Sequence, residues 1–295
     1  MPEPVSVIIP TYNRRNFLPS AIASVLIQDH PFELIVVDDG SDDGTESVVP
    51  GDDPRIRYIR QPNRGAAASR NTGIQAARHD LIAFLDSDDR FVAGKLELQA
   101  AAMGGAPRCL VSHTEELWYR RGVLLNQKKR HIKEEGDLFA RSLELCVVGM
   151  STIMARRRLF EVVGLFDESL PCCEDYDLWL RVGCRFPFLL VREALTIKEG
   201  GRADQLSVRY RVGMDRYRIA SIRALLDSGY LSEEQGHLAR AELFRKCNIY
   251  GAGCLKHGRP EEGRAYLDLA RRLADSGRKD RGLFGWETGS GRMVG

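Results

Sequence analysis

The clearest pattern along the chain is a series of short apolar runs that each end in a polar or acidic turn. The run at residues 81–85 is too short for a typical helix, which predicts a strand buried on both faces. Residues 5–9 and 34–37 show the same pattern, and residues 57–59 predict a weaker strand. These runs indicate a sheet that is covered on both sides.

Two predicted helices separate these strands. Residues 17–28 place Leu18, Ile22 and Val25 on one helical face, and residues 65–77 form a second helix that is rich in small residues. Strands that alternate with helices imply right-handed crossovers and a largely parallel sheet, so we expect an α/β fold. No G-x-G-x-x-G follows the first strand, and the dinucleotide fingerprint is therefore missing.

The last third of the chain changes to a helical pattern. Residues 214–226 form an amphipathic repeat, residues 232–235 match a capping box, and Pro260 is placed to begin a further helix. We expect a helical extension over residues 208–277, which either packs on the preceding α/β region of its own chain or binds a partner. Residues 278–295 are rich in glycine and arginine and predict a disordered tail.

Composition narrows the class of protein. The 43% hydrophobic and 28% charged residues are ordinary for a soluble globular chain, and no apolar stretch is long enough to span a membrane. Seven cysteines without a C-x-x-C spacing favour a reducing, cytoplasmic setting. The net charge of +2 and the lack of a motif argue against nucleic acid, while a basic C-terminal region leaves open a peripheral contact with the inner face of a membrane.

Three carboxylates arrive where the strand at residues 81–85 leaves the sheet: Asp86, Asp88 and Asp89. Ligands of open α/β sheets bind at the carboxyl ends of the strands. Hard oxygen ligands at this density suit Mg²⁺ or Mn²⁺, and an acidic, solvated loop is the alternative interpretation. A second acidic cluster at residues 174–177 has two interpretations as well, because acidic residues are favoured at a helix N-terminus.

Five blocks along the chain resemble family 2 glycosyltransferases in their order and spacing. The blocks are V-S-V-I-I-P-T-Y-N, E-L-I-V-V-D-D-G-S-D-D-G-T, N-R-G-A-A-A-S-R-N-T-G-I, I-A-F-L-D-S-D-D and E-D-Y-D-L-W-L-R, within residues 5–181. The resemblance implies the GT-A fold, a Rossmann-like and mostly parallel sheet flanked by helices. It makes residues 1–207 the glycosyltransferase domain, with a nucleotide-binding half at 1–105 and an acceptor half at 106–207.

The resemblance also assigns a nucleotide pocket. Pro10, Thr11 and Tyr12 would line the base pocket, with the Tyr12 ring against the base. Asp39 would accept a hydrogen bond from a base N–H, which favours uracil or thymine, and its neighbour Asp38 would orient the loop. A UDP-sugar is therefore the first donor to consider and a dTDP-sugar the second.

The acidic turn would hold the diphosphate end of the donor. By resemblance, Asp86, Ser87 and Asp88 surround a nucleotide with bound Mn²⁺ or Mg²⁺, and Asp89 is a further candidate ligand. Which of the three carboxylates touches the metal is left open. Arg70 would lie near the diphosphate, where a guanidinium can grip anionic oxygens.

The reaction itself is assigned to the second acidic cluster. By resemblance, Asp175 is the general base that takes the proton of an acceptor hydroxyl in an inverting transfer, and Glu174 lies beside it. Residues 149–154 resemble the strand on the acceptor side of the family. Arg202 stands where related enzymes often carry a histidine that helps to bind metal or diphosphate; arginine does not ligate metal but can bind diphosphate directly.

These observations predict a metal-dependent, inverting glycosyltransferase that moves a sugar from a nucleotide-diphospho-sugar to a hydroxyl of a saccharide or another acceptor. The alternative is a non-catalytic protein that binds a nucleotide sugar or acts as a scaffold. The intact carboxylates favour the enzyme, whereas Arg202 leaves the alternative open.

Overall fold

A computed structural model describes residues 2–127, 131–202 and 205–281. The strands are β1 (Val5–Thr11), β2 (Phe32–Asp38), β3 (Ile56–Arg60), β4 (Leu81–Phe84), β5 (Arg90–Phe91), β6 (Val111–Arg120), β7 (Val123–Leu125), β8 (Met154–Arg156) and β9 (Leu189–Gly200). The helices are α1 (Leu18–Leu26), α2 (Ala66–Ala76), α3 (Lys95–Gly105), α4 (Phe139–Glu144), α5 (Arg157–Val163), α6 (Glu174–Gly183), α7 (Leu206–Arg209), α8 (Met214–Asp227), α9 (Glu233–Lys256) and α10 (Pro260–Arg281).

The first four strands form the parallel half of one sheet, in the order β3-β2-β1-β4. Their apolar side chains divide between two buried clusters, one on each face, which explains why these strands read as continuous apolar runs. The chain reverses direction across the sheet between β1 and β4, and crevices at such switch points bind ligands. The expected α/β fold is confirmed.

The second half of the sheet is mixed. Strand β8 runs antiparallel to both β4 and β6, whereas β9 is parallel to β6 and antiparallel to the short β5. The strand expected over residues 149–154 is largely a single 3₁₀ turn, Met150–Thr152, and β8 begins only at Met154. The turn forms because Thr152 donates to the Gly149 carbonyl, through its N–H at 2.9 Å and its hydroxyl at 2.7 Å.

Helix α2 approaches β1 very closely. A Cβ atom on Gly73 would overlap the side chain of Ile8 in β1, so only glycine lets the helix lie at this depth. The small residues of α2, including the buried Ala67 and Ala68, serve the same close packing. This packing fixes the distance between α2 and the sheet, and therefore the positions from which the side chains of α2 extend.

The helical extension shares a hydrophobic cluster with the preceding region. Tyr176 and Leu180 of α6 lie in one buried cluster with Ile222 of α8 and Leu243 of α9. Lys246 Nζ donates to the Glu144 carbonyl at 3.1 Å, which adds a polar contact between α9 and α4. The extension therefore packs on helices α4 and α6 of the preceding region of the same chain.

The capping box expected at residues 232–235 is confirmed, because Ser232 and Gln235 exchange side-chain and backbone hydrogen bonds at the start of α9. Helix α10 runs to Arg281, and residues 282–295 of the expected tail lie outside the described residues. The division at residue 207 stays a prediction. Within the described part of the chain, no helix is both long and apolar enough to cross a membrane.

Candidate active site

The turns after β1 and β2 form one edge of a cleft. The Asp39 N–H donates to the Thr11 carbonyl at 2.8 Å, and the Asn13 N–H donates to Ser41 Oγ at 2.9 Å. Pro10 and Thr11 are buried, whereas Tyr12 is 45% exposed. Of the predicted base-pocket residues, Tyr12 is the one that presents its side chain to solvent.

Asp39 is buried and holds the start of α2. Its Oδ1 accepts from Gln61 Nε2 at 2.7 Å and from the Arg64 N–H at 3.0 Å, while Oδ2 accepts from the Gly65 N–H at 2.7 Å. A carboxylate oxygen has two acceptor positions, so Oδ2 keeps one for a ligand. The prediction that Asp39 accepts from a base is compatible with this geometry.

Asp38 is fully buried and binds only within the protein framework. Its carboxylate accepts from the Ser41 N–H at 2.7 Å and from the Tyr58 hydroxyl at 2.5 Å. These contacts tie the β2 turn to β3, as expected for a residue that orients the loop.

The turn after β4 divides its carboxylates between the cleft and the interior. Asp86 and Asp88 keep side-chain exposures of 31% and 15%, and Ser87 between them is buried. Asp89 turns inward, where it accepts from Ser151 Oγ at 2.7 Å and from the Glu199 N–H at 3.3 Å. Burial raises the pKa of Asp89 to about 7.

Arg70 joins the two acidic clusters that the sequence places 88 positions apart. Its Nη1 donates to Glu174 Oε1 at 2.5 Å and its Nη2 donates to Asp86 Oδ1 at 2.8 Å. Burial opposes the charged guanidinium, but the two carboxylates outweigh it and raise the pKa of Arg70. Arg70 therefore stays charged and brings the β4 turn and the start of α6 into one cleft.

Asp175 is the second residue of α6 and lies next to this ion pair. Cys173, in the left-handed region at φ 66°, turns the chain into the helix. Asp175 Oδ1 accepts from the Tyr176 N–H at 2.7 Å, and Oδ2 accepts from the Cys146 thiol at 3.3 Å. Glu174 is held by Arg70, so Asp175 is the acid of this pair that keeps weaker contacts and some exposure.

Residues 146–151 link Asp175 to the acidic turn, a role that the sequence analysis did not assign to them. Cys146, the first residue of this segment, contacts Asp175, and Ser151, the last residue, contacts Asp89 of the β4 turn. Ser151 Oγ accepts from the Asp86 N–H at 3.0 Å while it donates to Asp89. Serine and cysteine in a short loop give no sequence signal for this bridge.

Lys198 of β9 is a second residue that the sequence analysis missed. The Lys198 ammonium and the Glu116 carboxylate both lie beside Gly149. A Cβ atom added to Gly149 would be 3.3 Å from Lys198 Nζ and 3.1 Å from Glu116 Oε2. Burial lowers the pKa of Lys198, but the carboxylates of Glu116, Asp89 and Asp86 outweigh it and raise the pKa. Strand β9 also carries Arg192, Glu193 and Glu199, so the lysine gave no distinct signal in the sequence.

Arg202 is placed directly on the acidic turn. Its Nη2 pairs with Asp88 Oδ2, and its guanidinium carbon lies 4.3 Å from the centre of the Phe17 ring. A cavity of about 410 Å³ opens beside this pair and is also lined by Ser20 and Arg121. The structure thus brings the predicted Arg202 and Asp88 together.

The donor set fits a divalent cation that is shared with a substrate. Among the described residues there is no group of three or more histidine, cysteine or acidic side chains that could enclose a metal. Asp86 and Asp88 are two carboxylates at the cleft, and Mg²⁺ is often bound by one or two carboxylates together with substrate phosphates.

A family model covers the part of the chain that contains most of these turns. The family model described as glycosyl transferase family 2 matches residues 6–164, which is more than half of the chain. The chain belongs to glycosyltransferase family 2. This family 2 member has its β1, β2 and β4 turns, with Arg70 and Asp86, inside the matched region, while Glu174, Asp175 and Arg202 follow it.

Related family 2 proteins include an uncharacterized glycosyltransferase of Rickettsia felis, which is 39% identical over 190 residues; the match covers 61% of this chain and 30% of that protein. The chain thus spans less than a third of that relative's length. The UDP-Glc:alpha-D-GlcNAc-diphosphoundecaprenol beta-1,3-glucosyltransferase WfgD of Escherichia coli is 32% identical over 184 residues, covering 60% of this chain and 69% of WfgD.

Solved structures share the GT-A fold of this family 2 member. S. aureus TarS 1-349 in complex with UDP-GlcNAc matches with a TM-score of 0.63 at 20% identity, covering 94% of this chain and 92% of that one. The mannosyltransferase PcManGT of Pyrobaculum calidifontis, in complex with GDP-Man and Mn²⁺, matches with a TM-score of 0.62 at 16% identity, covering 96% and 81%. At these identities the likeness shows the fold.

Proposed function

We propose that this chain is an inverting, metal-dependent glycosyltransferase that moves a sugar from a UDP-sugar to an acceptor hydroxyl, with Asp175 as the general base. The observation that carries the proposal is the position of Arg70, which bonds to Asp86 of the β4 turn and to Glu174 beside Asp175. One cleft therefore contains acidic groups for the donor and an acidic group for the acceptor.

The donor base lies against the β1 and β2 turns in this proposal. The exposed Tyr12 ring supplies a flat apolar face, and Asp39 supplies the remaining acceptor position on Oδ2 for a base N–H. The complex of TarS with UDP-GlcNAc and the printed name of WfgD, which specifies UDP-Glc, support uridine. PcManGT was solved with GDP-Man, so the fold also accepts other bases, and dTDP-sugars are the second donors to test.

The diphosphate lies at the β4 turn. Asp86 and Asp88 would hold Mn²⁺ or Mg²⁺ together with phosphate oxygens, with Ser87 between them, and Asp89 would position the turn through Ser151. A bound divalent cation supplies charge stabilisation for the departing diphosphate. The complex of PcManGT with Mn²⁺ supports a divalent ion in this fold.

Asp175 acts on the acceptor. Because Arg70 holds Glu174, the neighbouring Asp175 can take the hydroxyl proton while the acceptor oxygen attacks the anomeric carbon from the face opposite the diphosphate. The C–O bond to the acceptor forms as the bond to the diphosphate breaks, which inverts the anomeric configuration. Glu174 positions the start of α6 through its buried ion pair with Arg70.

The acceptor is proposed as a saccharide hydroxyl, with saccharides on a polyprenyl diphosphate as the first class to test. WfgD is named for such an acceptor, and so is a beta-1,3-glucosyltransferase of Campylobacter jejuni that is 42% identical over 102 residues. Acceptors of this class lie in a membrane, which supports a peripheral contact with the inner face through the basic helical extension.

Two measurements test the proposal. Calorimetric titration of UDP is expected to show binding with Mn²⁺ and weaker binding with EDTA. Asp175→Asn is expected to lower transfer from a UDP-sugar about a thousandfold, since general bases contribute in this range, while UDP still binds. Asp177→Asn is the matched control, because Asp177 lies in the same first turn of α6 but its carboxylate pairs with Arg181 at 2.8 Å.

The outcomes separate enzyme from scaffold. Transfer that survives Asp175→Asn contradicts the base assignment. UDP binding without transfer to any tested acceptor class would favour the non-catalytic nucleotide-sugar protein, and no binding of UDP, dTDP or GDP would contradict the donor site.

A further inference from the structure

Each carboxylate of the β4 turn faces a cation of the same chain. Asp86 pairs with Arg70 at 2.8 Å and Asp88 pairs with Arg202. Asp89 lies within the electrostatic range of Lys198. A turn that would attract a divalent cation is therefore already balanced by protein cations.

Arg202 is held in this place by its own loop. Gln205 Oε1 accepts from the Gly201 N–H at 2.9 Å and from the Arg202 N–H at 3.3 Å, and Gln205 Nε2 donates to the Glu199 carbonyl at 3.2 Å. Gly201 has a φ of 89°, and a Cβ there would collide with the Arg120 side chain. The loop conformation thus requires glycine and directs the next residue onto Asp88.

The Arg202 side chain has further contacts that fix its direction. Nη1 donates to the Glu199 carbonyl at 3.3 Å, and the guanidinium lies over the Phe17 ring at 4.3 Å from its centre. Its side chain is only 20% exposed, so the pair with Asp88 is shielded in part from water. A guanidinium keeps its proton and its charge at any relevant pH, so Arg202 does not release Asp88 by losing a proton.

The Arg202 guanidinium disfavours a divalent metal ion at Asp88, because it takes one acceptor position of Oδ2 and its positive charge repels the metal. A diphosphate changes this balance. Its oxygens can bind the planar guanidinium in a bidentate manner, and the cavity of about 410 Å³ beside Asp88 gives the guanidinium and an anion room to meet.

We infer that Arg202 is an internal counter-ion that makes divalent metal binding conditional on the nucleoside diphosphate. In the empty site Arg202 occupies Asp88; when a diphosphate arrives, the guanidinium transfers to phosphoryl oxygens and leaves Asp88 to the metal. This inference rests on the proposed donor site. It predicts that the same side chain opposes metal in the free protein and supports metal in the complex.

The test measures Mn²⁺ binding by electron paramagnetic resonance of the free ion, in the full chain, with and without saturating UDP. Without UDP, Arg202→Gln is expected to bind Mn²⁺ about tenfold more tightly than the wild type, since a competing charge has been removed. With UDP, the order is expected to reverse, with Mn²⁺ held about fivefold more weakly in the variant because a phosphate contact is lost.

Two further variants locate the effect. Arg90→Gln is the matched control, because Arg90 pairs with Glu199 at 3.1 Å at the same end of β9, and it is expected to bind Mn²⁺ as the wild type does. The double variant Arg202→Gln with Asp88→Asn is expected to lose the gain in Mn²⁺ affinity, because the carboxylate that Arg202→Gln frees to bind the metal is that of Asp88. Circular dichroism checks that each variant is folded.

The results judge the inference separately from the proposed function. If Arg202→Gln binds Mn²⁺ no more tightly than the wild type without UDP, or if Arg90→Gln gains equally, the counter-ion role is overturned. If the wild type binds no UDP in any condition, the proposed donor fails, while the arm without nucleotide still decides whether Arg202 competes for Asp88. If the variant binds UDP·Mn²⁺ as tightly as the wild type, the transfer to phosphate is overturned.

Discussion

The acidic turns after β2 and β4 lie in the same parallel half of the sheet, but their carboxylates bind different kinds of partner. The turn after β2 gives its carboxylates, Asp38 and Asp39, to backbone N–H groups, a glutamine and a tyrosine hydroxyl. In the turn after β4, Asp86 and Asp88 are matched with arginines from elsewhere in the chain. Neutral donors that belong to the framework make a fixed loop, whereas ionic partners can be exchanged for a charged ligand.

The largest expected effect comes from removing one carboxylate in each turn. Asp38→Ala leaves the buried donors of Ser41 and Tyr58 without an acceptor, and the free energy of unfolding is expected to fall by about 2–3 kcal/mol. Asp88→Ala removes a partly exposed ion pair, which costs less than about 1 kcal/mol, but sugar transfer is expected to fall at least a hundredfold. Urea denaturation and a transfer assay measure both.

Equal losses of stability in the two alanine variants would break the comparison, because both turns would then be parts of the framework. If Asp38→Ala remains folded but lowers sugar transfer by as much as Asp88→Ala does, the comparison would also fail, because both turns would then be needed for the reaction.

The pH dependence of stability can be used to compare the two turns only after the contribution of His113, which lies outside both turns, has been removed. His113 is buried, and burial lowers its pKa to about 4. The unfolded chain takes up this proton near its ordinary pKa, about 6.5, so stability is expected to fall by about 3 kcal/mol as the pH drops from 6.5 to 4. His113→Gln, which can keep the hydrogen bond to the Glu134 carbonyl, is expected to flatten this range.

Urea denaturation at pH 7, 5.5 and 4 measures the effect. If the free energy of unfolding falls equally between pH 6.5 and 4 in the wild type and in His113→Gln, the imidazole is not the source of this fall. The acidic groups then have to account for it.

The smallest expected effect concerns the contact between Cys146 and Asp175. The thiol donates to Oδ2 at 3.3 Å, which is a weak hydrogen bond, and burial raises the pKa of Cys146 well above its ordinary value, so the proton stays on sulfur. We expect Cys146→Ala to lower kcat about threefold with an unchanged Kd for UDP, and Cys146→Ser to recover most of the loss, because a net hydrogen bond contributes about 1 kcal/mol or less.

Steady-state kinetics and UDP titration on both variants check this contact. A loss in Cys146→Ala that serine fails to restore would indicate a packing role in place of a hydrogen bond to Asp175.

The first strands along the chain and the acidic turns could be predicted because they depend on local pattern: an apolar run predicts a buried strand, and its polar end lies at the ligand edge of the sheet. The pairing of those turns with cations could not be predicted. Arg70 meets Glu174 across 104 positions and Arg202 meets Asp88 across 114, and such contacts depend on how elements pack. Residues 149–154 were expected to be a strand, but local hydrogen bonds to the Gly149 carbonyl favour a 3₁₀ turn.

The close contact of α2 and β1 has a consequence for how this sequence can vary. Gly73 has no space for a methyl group because Ile8 occupies it, and Arg70 lies one turn earlier on the same helix. A larger residue at position 73 would lift the helix and withdraw Arg70 from Asp86 and Glu174. Substitutions at positions 8 and 73 are therefore expected to co-vary among related chains, with a smaller side chain in β1 accompanying any replacement of the glycine.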